Sequence, residues 1–458
     1  MTQLFVVHSA YGLTTAVAAI DEGIIARRGR RVLAVANTAL VPETSTGPSD
    51  AAHVRPLLSR FDDVVSVNDL LAPIPPTQWA PTAEDLPMIE RLLRRVWRLD
   101  DGPLELFLQS IHVAPALTFA RLFSDATITV VSDGLMTFSP VRKRLGHDLT
   151  RRVTRVVYGD VVPGVAPLLF AEHGAERMPI PAAALGRVFE EGAAVLNDPA
   201  LDALAADAAP TALILGQYLS TLGIVTPSEE QRLHAALLDR TRDWRPDRIV
   251  FKPHPSAPVA DVDALQEHAE RRGVRFEVYE GDAPAEIVAG RLNTIVAAAL
   301  FSTALPTIAA VHGVPITAVE TDLLLRRLPQ PENSNRMPLA LVDALTRIDS
   351  PYAPPPAAAS TERQLLADAV GYAMQPVIMS HLRPRAEEFL SRFGPGEGAR
   401  YLTAVRMTAL ELPGAPARSR LAQRFFPIGG AGRLEQARLT IKGMRRRGRR
   451  IWRTARGE

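Results

Sequence analysis

One short stretch of the chain combines residue types that could bind and activate a phosphate. Residues 248–255 read RIVFKPHP, a β-rich apolar run that ends in a lysine and then a histidine between two prolines. Because proline interrupts a strand, the predicted strand ends at about Lys252. His254 then stands at the carboxyl end of the strand, where open α/β sheets bind their ligands. Taken alone, the stretch also fits an ordinary surface loop that contains a histidine.

Three further loops follow predicted strands and carry polar groups or a sharp turn. They are Asp133-Gly134, Gly216-Gln217 and Ser302-Thr303. An Asp-Gly pair is commonly only a turn, and a Ser-Thr pair is commonly only a helix N-cap. A helix N-terminus with two hydroxyls and free N–H groups nevertheless also binds phosphate.

Together these residues suggest a site for a phosphorylated ligand. Lys252 and His254 would lie beside the helix N-terminus at Ser302 and offer cations and donors to a phosphate. Glu286, on the intervening helix, could accept hydrogen bonds from a ribose diol, although a solvent-exposed helix acid explains it nearly as well. Asp133, from the other half of the chain, would face this group across a cleft, where a carboxylate can deprotonate an acceptor hydroxyl.

Two alternating series of strands and helices carry these loops. The chain is 47% hydrophobic and 22% charged, which is the composition of a globular protein. Its 458 residues are too many for a single hydrophobic core of usual size, which favours two domains. The sequence therefore predicts an α/β fold with two Rossmann-like lobes that face a cleft, followed by C-terminal helices. The predicted divisions are an acceptor-side lobe over 1–205, a nucleotide-sugar-binding lobe over 206–375, terminal helices over 376–430 and a basic amphipathic tail over 431–458.

The composition also limits the compartment. The chain has no cysteine, which excludes disulfides and thiolate zinc sites and favours a reducing compartment, here the cytoplasm. The amino terminus lacks the pattern of a signal peptide. Residues 294–317 carry no full charge and are long enough to cross a bilayer. Because Pro306, Gly313 and Pro315 interrupt this run, we interpret it as strand, turn, helix and strand.

Two basic clusters stand out from the nearly neutral chain. Arginines and a lysine between Arg142 and Arg152 could face an anionic ligand. Near the carboxyl end, residues 434–456 alternate basic side chains with apolar ones, including Trp452, at helical spacing. This pattern predicts contact with an anionic membrane surface, and hence a peripheral position on the inner face of the cell membrane. An RNA-binding arm or a disordered end are the alternatives, and nucleic acid is disfavoured because aromatics do not interleave with the basic residues.

The order of the loop motifs resembles that of bacterial sialyltransferases, and of bacterial polysialyltransferases in particular. The resemblance covers most of residues 1–330. It implies a GT-B glycosyltransferase that uses CMP-sialic acid and needs neither a metal nor another cofactor. It further implies a general base, a histidine on the CMP phosphate, a hydroxyl pair on the same phosphate and a glutamate on the ribose. These roles would fall, in that order, on Asp133, His254, Ser302 with Thr303, and Glu286. The loop residues Gly216, Gln217, Lys252 and Pro255 complete the predicted donor site.

One position departs from the family pattern. The family motif has two acids before the glycine, whereas here Ser132 precedes Asp133. Asp133 must then act as the base alone, or the activity is altered. The predicted reaction is inverting transfer of sialic acid, or of another CMP-activated sugar, to a glycan or glycolipid acceptor.

Two other functions stay open from the sequence. A transferase of CDP-activated glycerol or ribitol phosphate would carry similar His-Pro and paired-serine motifs on the same fold. A non-catalytic scaffold of a polysaccharide-assembly system would explain the missing first acid. The sequence does not reveal the linkage, the donor sugar or the oligomeric state.

Overall fold

The computed structural model describes residues 1–39, 46–254, 260–328, 330–352 and 357–415. The predictions for Pro255 and for the tail at 431–458 lie outside these residues.

The described residues form two parallel β-sheets. The strands of the first sheet are β1 (Thr2–Val7), β2 (Arg30–Val35), β3 (Asp63–Ser66), β4 (Glu105–Gln109), β5 (Thr127–Val131), β6 (Val153–Gly159) and β7 (Glu176–Ile180). The strands of the second sheet are β8 (Thr211–Leu215), β9 (Arg248–Lys252), β10 (Arg275–Val278), β11 (Thr294–Ala298) and β12 (Ile316–Thr317). The predicted α/β fold with two Rossmann-like lobes, as in GT-B glycosyltransferases, is confirmed.

Helices connect the strands and extend beyond the second sheet. The α-helices are α1 (Ala10–Asp21), α2 (Val67–Leu71), α3 (Leu86–Val96), α4 (Ala116–Leu122), α5 (His147–Thr150), α6 (Ala182–Ala194), α7 (Pro199–Ala206), α8 (Pro227–Thr241), α9 (Ala260–Arg271), α10 (Ala285–Arg291), α11 (Ala304–His312), α12 (Thr321–Arg327), α13 (Arg336–Thr346), α14 (Ala357–Met374), α15 (Arg383–Tyr401) and α16 (Ala404–Leu410). Helix α15 bends at Gly394, whose φ is +78°.

Each sheet reverses its strand order near its middle. The first sheet has the order β3-β2-β1-β4-β5-β6-β7, and the second has the order β10-β9-β8-β11-β12. Open parallel sheets bind ligands beyond the carboxyl ends of the strands at such a reversal, because the connecting loops there diverge and leave a crevice. The loops after β1 and β4, and those after β8 and β11, are therefore the places where a site is expected.

Side chains alternate along the strands of the first sheet and build a core on each face. Phe5 and Val7 of β1 pack into one apolar cluster, and Leu4 and Val6 pack into another. The first cluster continues into the second lobe, where it includes Leu213 of β8. Because both faces are covered at the centre of the sheet, β1 and β4 are buried along their whole length, whereas the edge strand β3 is largely exposed.

The segment 294–317 folds as the sequence analysis expects. It forms β11, then α11, then β12. In the described part of the chain, no helix has both the length and the apolar character needed to span a bilayer.

Helix α14 connects the two lobes, although the sequence divisions place it in the second lobe alone. Gln364 accepts a hydrogen bond from the backbone N–H of Ala166 at 2.6 Å. Arg363 donates one to the carbonyl of Pro163 at 3.1 Å. The predicted boundaries at 205 and 375 stay predictions, but these contacts show that the helix helps to fix one lobe against the other.

Candidate active site

Asp133 follows β5 and is held from two sides. Its Oδ1 accepts a hydrogen bond from Nε2 of Gln109 at 2.9 Å, and its Oδ2 accepts one from Oγ of Ser110 at 2.6 Å. Its own backbone N–H donates to Oγ1 of Thr137 at 2.9 Å. Since β4 and β5 are parallel neighbours, the residues just after them meet at the same sheet edge. The carboxylate is thereby fixed at the crevice of the first lobe.

Ser132, which stands where the family pattern has its first acid, points away from the crevice. Only 2% of its surface is exposed. Its hydroxyl lies 2.9 Å from Oγ1 of Thr137 and donates to the carbonyl of Gly134 at 3.3 Å. In this chain the carboxylate at the crevice therefore belongs to Asp133, which is half-buried.

The loop after β8 packs closely on the loop after β9. A Cβ on Gly216 would lie 3.1 Å from Cα of Pro253 and 3.2 Å from the backbone nitrogen of His254. Both distances are shorter than ordinary van der Waals contact, so a larger residue at 216 would push the two loops apart. Glycine is required here by the close approach of backbone, not by its own dihedral angles.

Gln217 joins the same loop to the end of β11. Its Oε1 accepts a hydrogen bond from the backbone N–H of Phe301 at 2.9 Å. On the far side of the loop, the fully buried carboxylate of Glu230 accepts hydrogen bonds from the N–H groups of Leu219 and Ser220. The three loops of the second lobe, after β8, β9 and β11, are thus linked into one unit.

His254 lies at the carboxyl end of β9, as predicted. Its ring centroid is 4.2 Å from that of Tyr218, and the two planes are tilted by 47°. Burial lowers the pKa of His254, and the nearby charge of Lys252 lowers it further. In the absence of a ligand the imidazole is therefore mainly neutral at pH 7 and can donate one N–H to an anion.

Lys252 is the last residue of β9, where the sequence predicts the strand to end. Its ammonium group donates a hydrogen bond to the carbonyl of Gly281 at 2.8 Å and lies 4.9 Å from the centroid of the Tyr279 ring. Burial lowers the pKa of Lys252, against the charges of Asp282, Asp198 and Glu286. This hydrogen bond holds the loop that leads into α10 and uses one of the three N–H donors of the ammonium group, so the contact with a bound phosphate stays a prediction.

Glu286 lies in the first turn of α10 and is only 6% exposed. Burial raises the pKa of Glu286 to about 7, although the charge of Lys252 opposes the shift. The alternative from sequence, a solvent-exposed helix acid, is therefore wrong. A buried carboxyl group that is not fully ionised at neutral pH is typical of a functional position, since it lowers the stability of the fold.

The two lobes meet between Asp133 and the start of α11. A Cβ on Gly134 would lie 3.6 Å from both Cβ and Oγ1 of Thr303. The helix itself begins at Ala304, two residues later than a start at Ser302. Ser302 is half-buried, and its Oγ accepts a hydrogen bond from the N–H of Ala304 at 3.3 Å.

Tyr11 bridges the same gap from the first lobe. Its hydroxyl lies 3.5 Å from Oγ1 of Thr307 on α11. Burial raises the pKa of Tyr11 to about 12, and the charges of both Glu286 and Asp133 contribute. Tyr11 thus joins the first lobe to α11 of the second lobe at this point.

The basic cluster after Asp133 is only partly at the site. Arg142 lines a cavity of about 200 Å³ together with His112, Asp133 and Ser334. Arg152, by contrast, donates hydrogen bonds to backbone carbonyls between Ala120 and Asp148 and supports the fold. Of these two arginines, Arg142 is the one that borders the crevice.

Several residues at the site were not singled out from the sequence. They are Tyr11, Gln109, Ser110, Tyr218 and Glu230. Gln109 is the last residue of β4 and Ser110 follows it, so the rule that ligands bind at the carboxyl ends of strands would have selected them. No comparable signal marks Glu230, whose carboxylate reaches the loop from within α8.

The motif order and this geometry agree with a comparison against protein families. The model of the alpha-2,8-polysialyltransferase (POLYST) family matches residues 3–320. The chain belongs to this family. This protein is therefore a sialyltransferase-like glycosyltransferase, and the resemblance drawn from its motifs is confirmed. A search of curated proteins finds no match.

Solved structures with a similar arrangement include two sialyltransferases. The GT-B domain of a sialyltransferase from Photobacterium damselae, residues 113–497, has a TM-score of 0.41 and 11% identity, covering 75% of this chain and 96% of that one. An alpha/beta-galactoside alpha-2,3-sialyltransferase from Photobacterium phosphoreum has a TM-score of 0.39 and 10% identity, with 75% and 96% covered. A glycosyltransferase from Rickettsia africae has a TM-score of 0.37 and 10% identity, with 85% and 98% covered. The family assignment depends on the sequence match alone.

Replacing Glu286 with glutamine is expected to stabilise the protein in a pH-dependent way. The pKa of Glu286 is about 7 in the folded state, against an ordinary value of 4.5. Below pH 4.5 the carboxyl is protonated in both states, and as pH rises toward 7 ionisation increasingly favours the unfolded state. Glu286→Gln should therefore raise the free energy of unfolding by about 3 kcal/mol at pH 8 and by much less at pH 5.

Urea unfolding of both proteins at the two pH values measures this effect. Glu190→Gln, at an exposed position of α6, is the matched control and should change little at either pH. Equal effects of Glu286→Gln at pH 5 and pH 8 would contradict the raised pKa.

Proposed function

We propose that this protein is an inverting transferase that moves sialic acid, or a related sugar, from a CMP-linked donor to a glycan or glycolipid acceptor. The observation that supports it most is the approach of Gly134 to Thr303. It brings the loop that carries the fixed carboxylate of Asp133 next to the start of α11 in the other lobe. A base and a phosphate-binding group on opposite sides of one cleft are what direct transfer between two substrates requires.

In the proposed reaction Asp133 is the general base. It takes the proton of the acceptor hydroxyl while that oxygen bonds to the anomeric carbon. The bond from the anomeric carbon to the phosphate oxygen breaks, and CMP leaves with the electron pair. Attack opposite the leaving group inverts the anomeric configuration. Ser132 takes no part, since its hydroxyl is buried against Thr137.

The second lobe would hold the donor. Ser302, Thr303 and the N-terminus of α11 would bind the phosphate with hydroxyl and N–H donors, as helix N-termini do. The neutral imidazole of His254 would donate a further hydrogen bond and stabilise the charge that develops as CMP leaves. Glu286 would accept hydrogen bonds from the ribose diol. Gly216 and Gln217 would act indirectly, by keeping the loops of this lobe together.

The cavity beside Asp133 would take the acceptor. Its volume of about 200 Å³ is on the scale of a single sugar ring, and Asp133 forms part of its wall. Arg142 lies in the same wall, so an acceptor with an anionic group would be favoured there by charge. An acceptor in this cavity would have a hydroxyl within reach of the carboxylate of Asp133, which supports its proposed role as the base.

We also propose that the reaction needs no metal or other cofactor besides the CMP-sugar substrate. A cytoplasmic position, with peripheral contact to an anionic membrane through residues 434–456, is part of the same proposal. It is supported by the basic amphipathic pattern of the sequence there. Nucleic acid is not a proposed partner.

A panel of activated donors tests the proposed substrate. CMP-sialic acid, CMP-linked Kdo and CDP-glycerol are compared by thermal shift, since a bound donor raises Tm by mass action. We expect a CMP-sugar to raise Tm by several degrees and to release CMP when a glycan acceptor is added. Stabilisation by CDP-glycerol alone would favour a transferase of glycerol phosphate, and no binding or donor hydrolysis at all would favour a non-catalytic scaffold.

A further inference from the structure

We propose that Gln109 and Ser110 are positioning residues that hold Asp133 in the orientation of a general base. This inference rests on the proposed function, because it assigns supporting residues to the base of that reaction. It concerns the last residue of β4, Gln109, and the residue that follows it, Ser110.

The two donors occupy different oxygens of one carboxylate. Nε2 of Gln109 reaches Oδ1 of Asp133 at 2.9 Å, and Oγ of Ser110 reaches Oδ2 at 2.6 Å. With one hydrogen bond on each oxygen, the carboxylate cannot rotate about its terminal bond without losing both. The remaining lone pairs then keep a constant direction, which is what proton abstraction from a bound hydroxyl requires.

Gln109 is itself oriented from three sides. It is fully buried, its Oε1 accepts a hydrogen bond from the N–H of His8 at 2.9 Å, and its Nε2 also donates to Oγ of Ser9 at 2.7 Å. Gly12 leaves the room that its amide occupies, because a Cβ at that position would overlap the amide group. The segment of residues 8–12, which runs from the end of β1 into the first turn of α1, therefore supports Gln109.

Ser110 has a backbone conformation that a serine seldom adopts. Its φ is +51°, in the left-handed region that costs non-glycine residues energy. Glycine would remove this strain, but it would also remove the hydroxyl that reaches Asp133. The presence of serine at this position is explained if the hydroxyl is needed for the reaction.

Two substitutions separate the hydroxyl from the backbone. Ser110→Ala removes the hydroxyl and keeps the strain, whereas Ser110→Gly removes both. If the hydroxyl positions Asp133, kcat should fall about tenfold in both variants, which is less than the roughly 10²- to 10⁴-fold that the general base itself contributes. The KM for the CMP-sugar should stay within roughly twofold, since uniform donor binding is unaffected.

The pH dependence gives a readout that loss of folding would not mimic. Hydrogen bonds to a carboxylate favour its ionised form, so their loss should move the acidic limb of the kcat/KM profile toward higher pH. Gln109→Glu, which keeps the acceptor for the N–H of His8 but replaces the donor to Asp133 with a like charge, should move it further. Ser59→Ala, a hydroxyl removed from an exposed turn, is the control and should leave the profile unchanged.

The outcomes decide between this inference and the function on which it rests. Asp133→Asn is assayed in parallel, and Tm and CMP binding are measured for every variant. An inactive Asp133→Asn with wild-type profiles in both Ser110 variants would overturn the inference alone. Wild-type activity in Ser110→Gly together with lost activity in Ser110→Ala would also overturn the inference. The backbone strain at this position, and not the hydroxyl, would then determine the activity. Wild-type activity in Asp133→Asn would overturn the proposed function.

Discussion

Replacing Asp133 with asparagine is expected to lower kcat by about 10²- to 10⁴-fold, the range that a general base contributes. The amide keeps the size of the side chain and can still accept the hydrogen bond from Ser110 through its carbonyl oxygen. It has no basic lone pair of comparable strength, so the acceptor hydroxyl must lose its proton to water. Because the carboxylate belongs to the lobe opposite the donor loops, KM for the CMP-sugar should change little.

The experiment measures CMP release with a saturating glycan acceptor over a range of donor concentrations. Asp148→Asn is the matched control, since its carboxylate is almost fully exposed and only weakly paired with Arg151. A wild-type kcat in Asp133→Asn would mean that another group takes the proton. The assignment of the general base to the first lobe would then be wrong.

Replacing His254 with glutamine should lower kcat/KM by about 10²- to 10³-fold, the usual effect of losing one donor to a developing negative charge. The glutamine still carries N–H donors, but it cannot keep the imidazole's place against the Tyr218 ring, so we expect its amide not to reach the phosphate in the same geometry. Unlike the change at Asp133, this one should also weaken the binding of CMP itself, because the phosphate is present in both the ground and transition states.

Titration of each protein with CMP, together with steady-state kinetics, separates the two effects. His381→Gln, at an exposed position in the C-terminal helical region, serves as the control. If His254→Gln bound CMP as tightly as the wild type and kept its kcat, the histidine would be an ordinary loop residue, which the sequence alone also allows.

The contrast between the two variants is itself informative. The base acts on the acceptor, so Asp133→Asn should affect turnover alone. The histidine donates a hydrogen bond to the phosphate of the leaving group, so His254→Gln should affect both turnover and nucleotide affinity. The same pattern in both variants would show that the two residues do not divide the work between the lobes.

The sequence predicts the elements at this site better than the contacts between them. The proline after Lys252 ends β9 where expected, and the strand of residues 294–298 is followed by α11. Both predictions depend on local chemistry, namely missing N–H groups and the length of apolar runs. Local chemistry also places His254 and the Ser302-Thr303 pair at strand ends, on the correct edge of the second sheet.

Long-range contacts account for what the sequence does not predict. The sequence does not show that the ammonium group of Lys252 binds the carbonyl of Gly281, which lies 29 residues further along the chain. Glu286 resembles a surface acid, yet packing of α10 buries it and raises its pKa. Gln109 has no distinctive sequence neighbours, and only the pairing of β4 with β5 brings it to Asp133.

A crystal structure with CMP bound would test most directly whether the two lobes share one nucleotide-sugar site. We expect the ribose hydroxyls within hydrogen-bond distance of the Glu286 carboxylate and the phosphate against Ser302, Thr303 and His254. The phosphate oxygen that carries the sugar should point across the cleft toward Asp133. CMP bound elsewhere, or with its phosphate directed away from Asp133, would contradict the account.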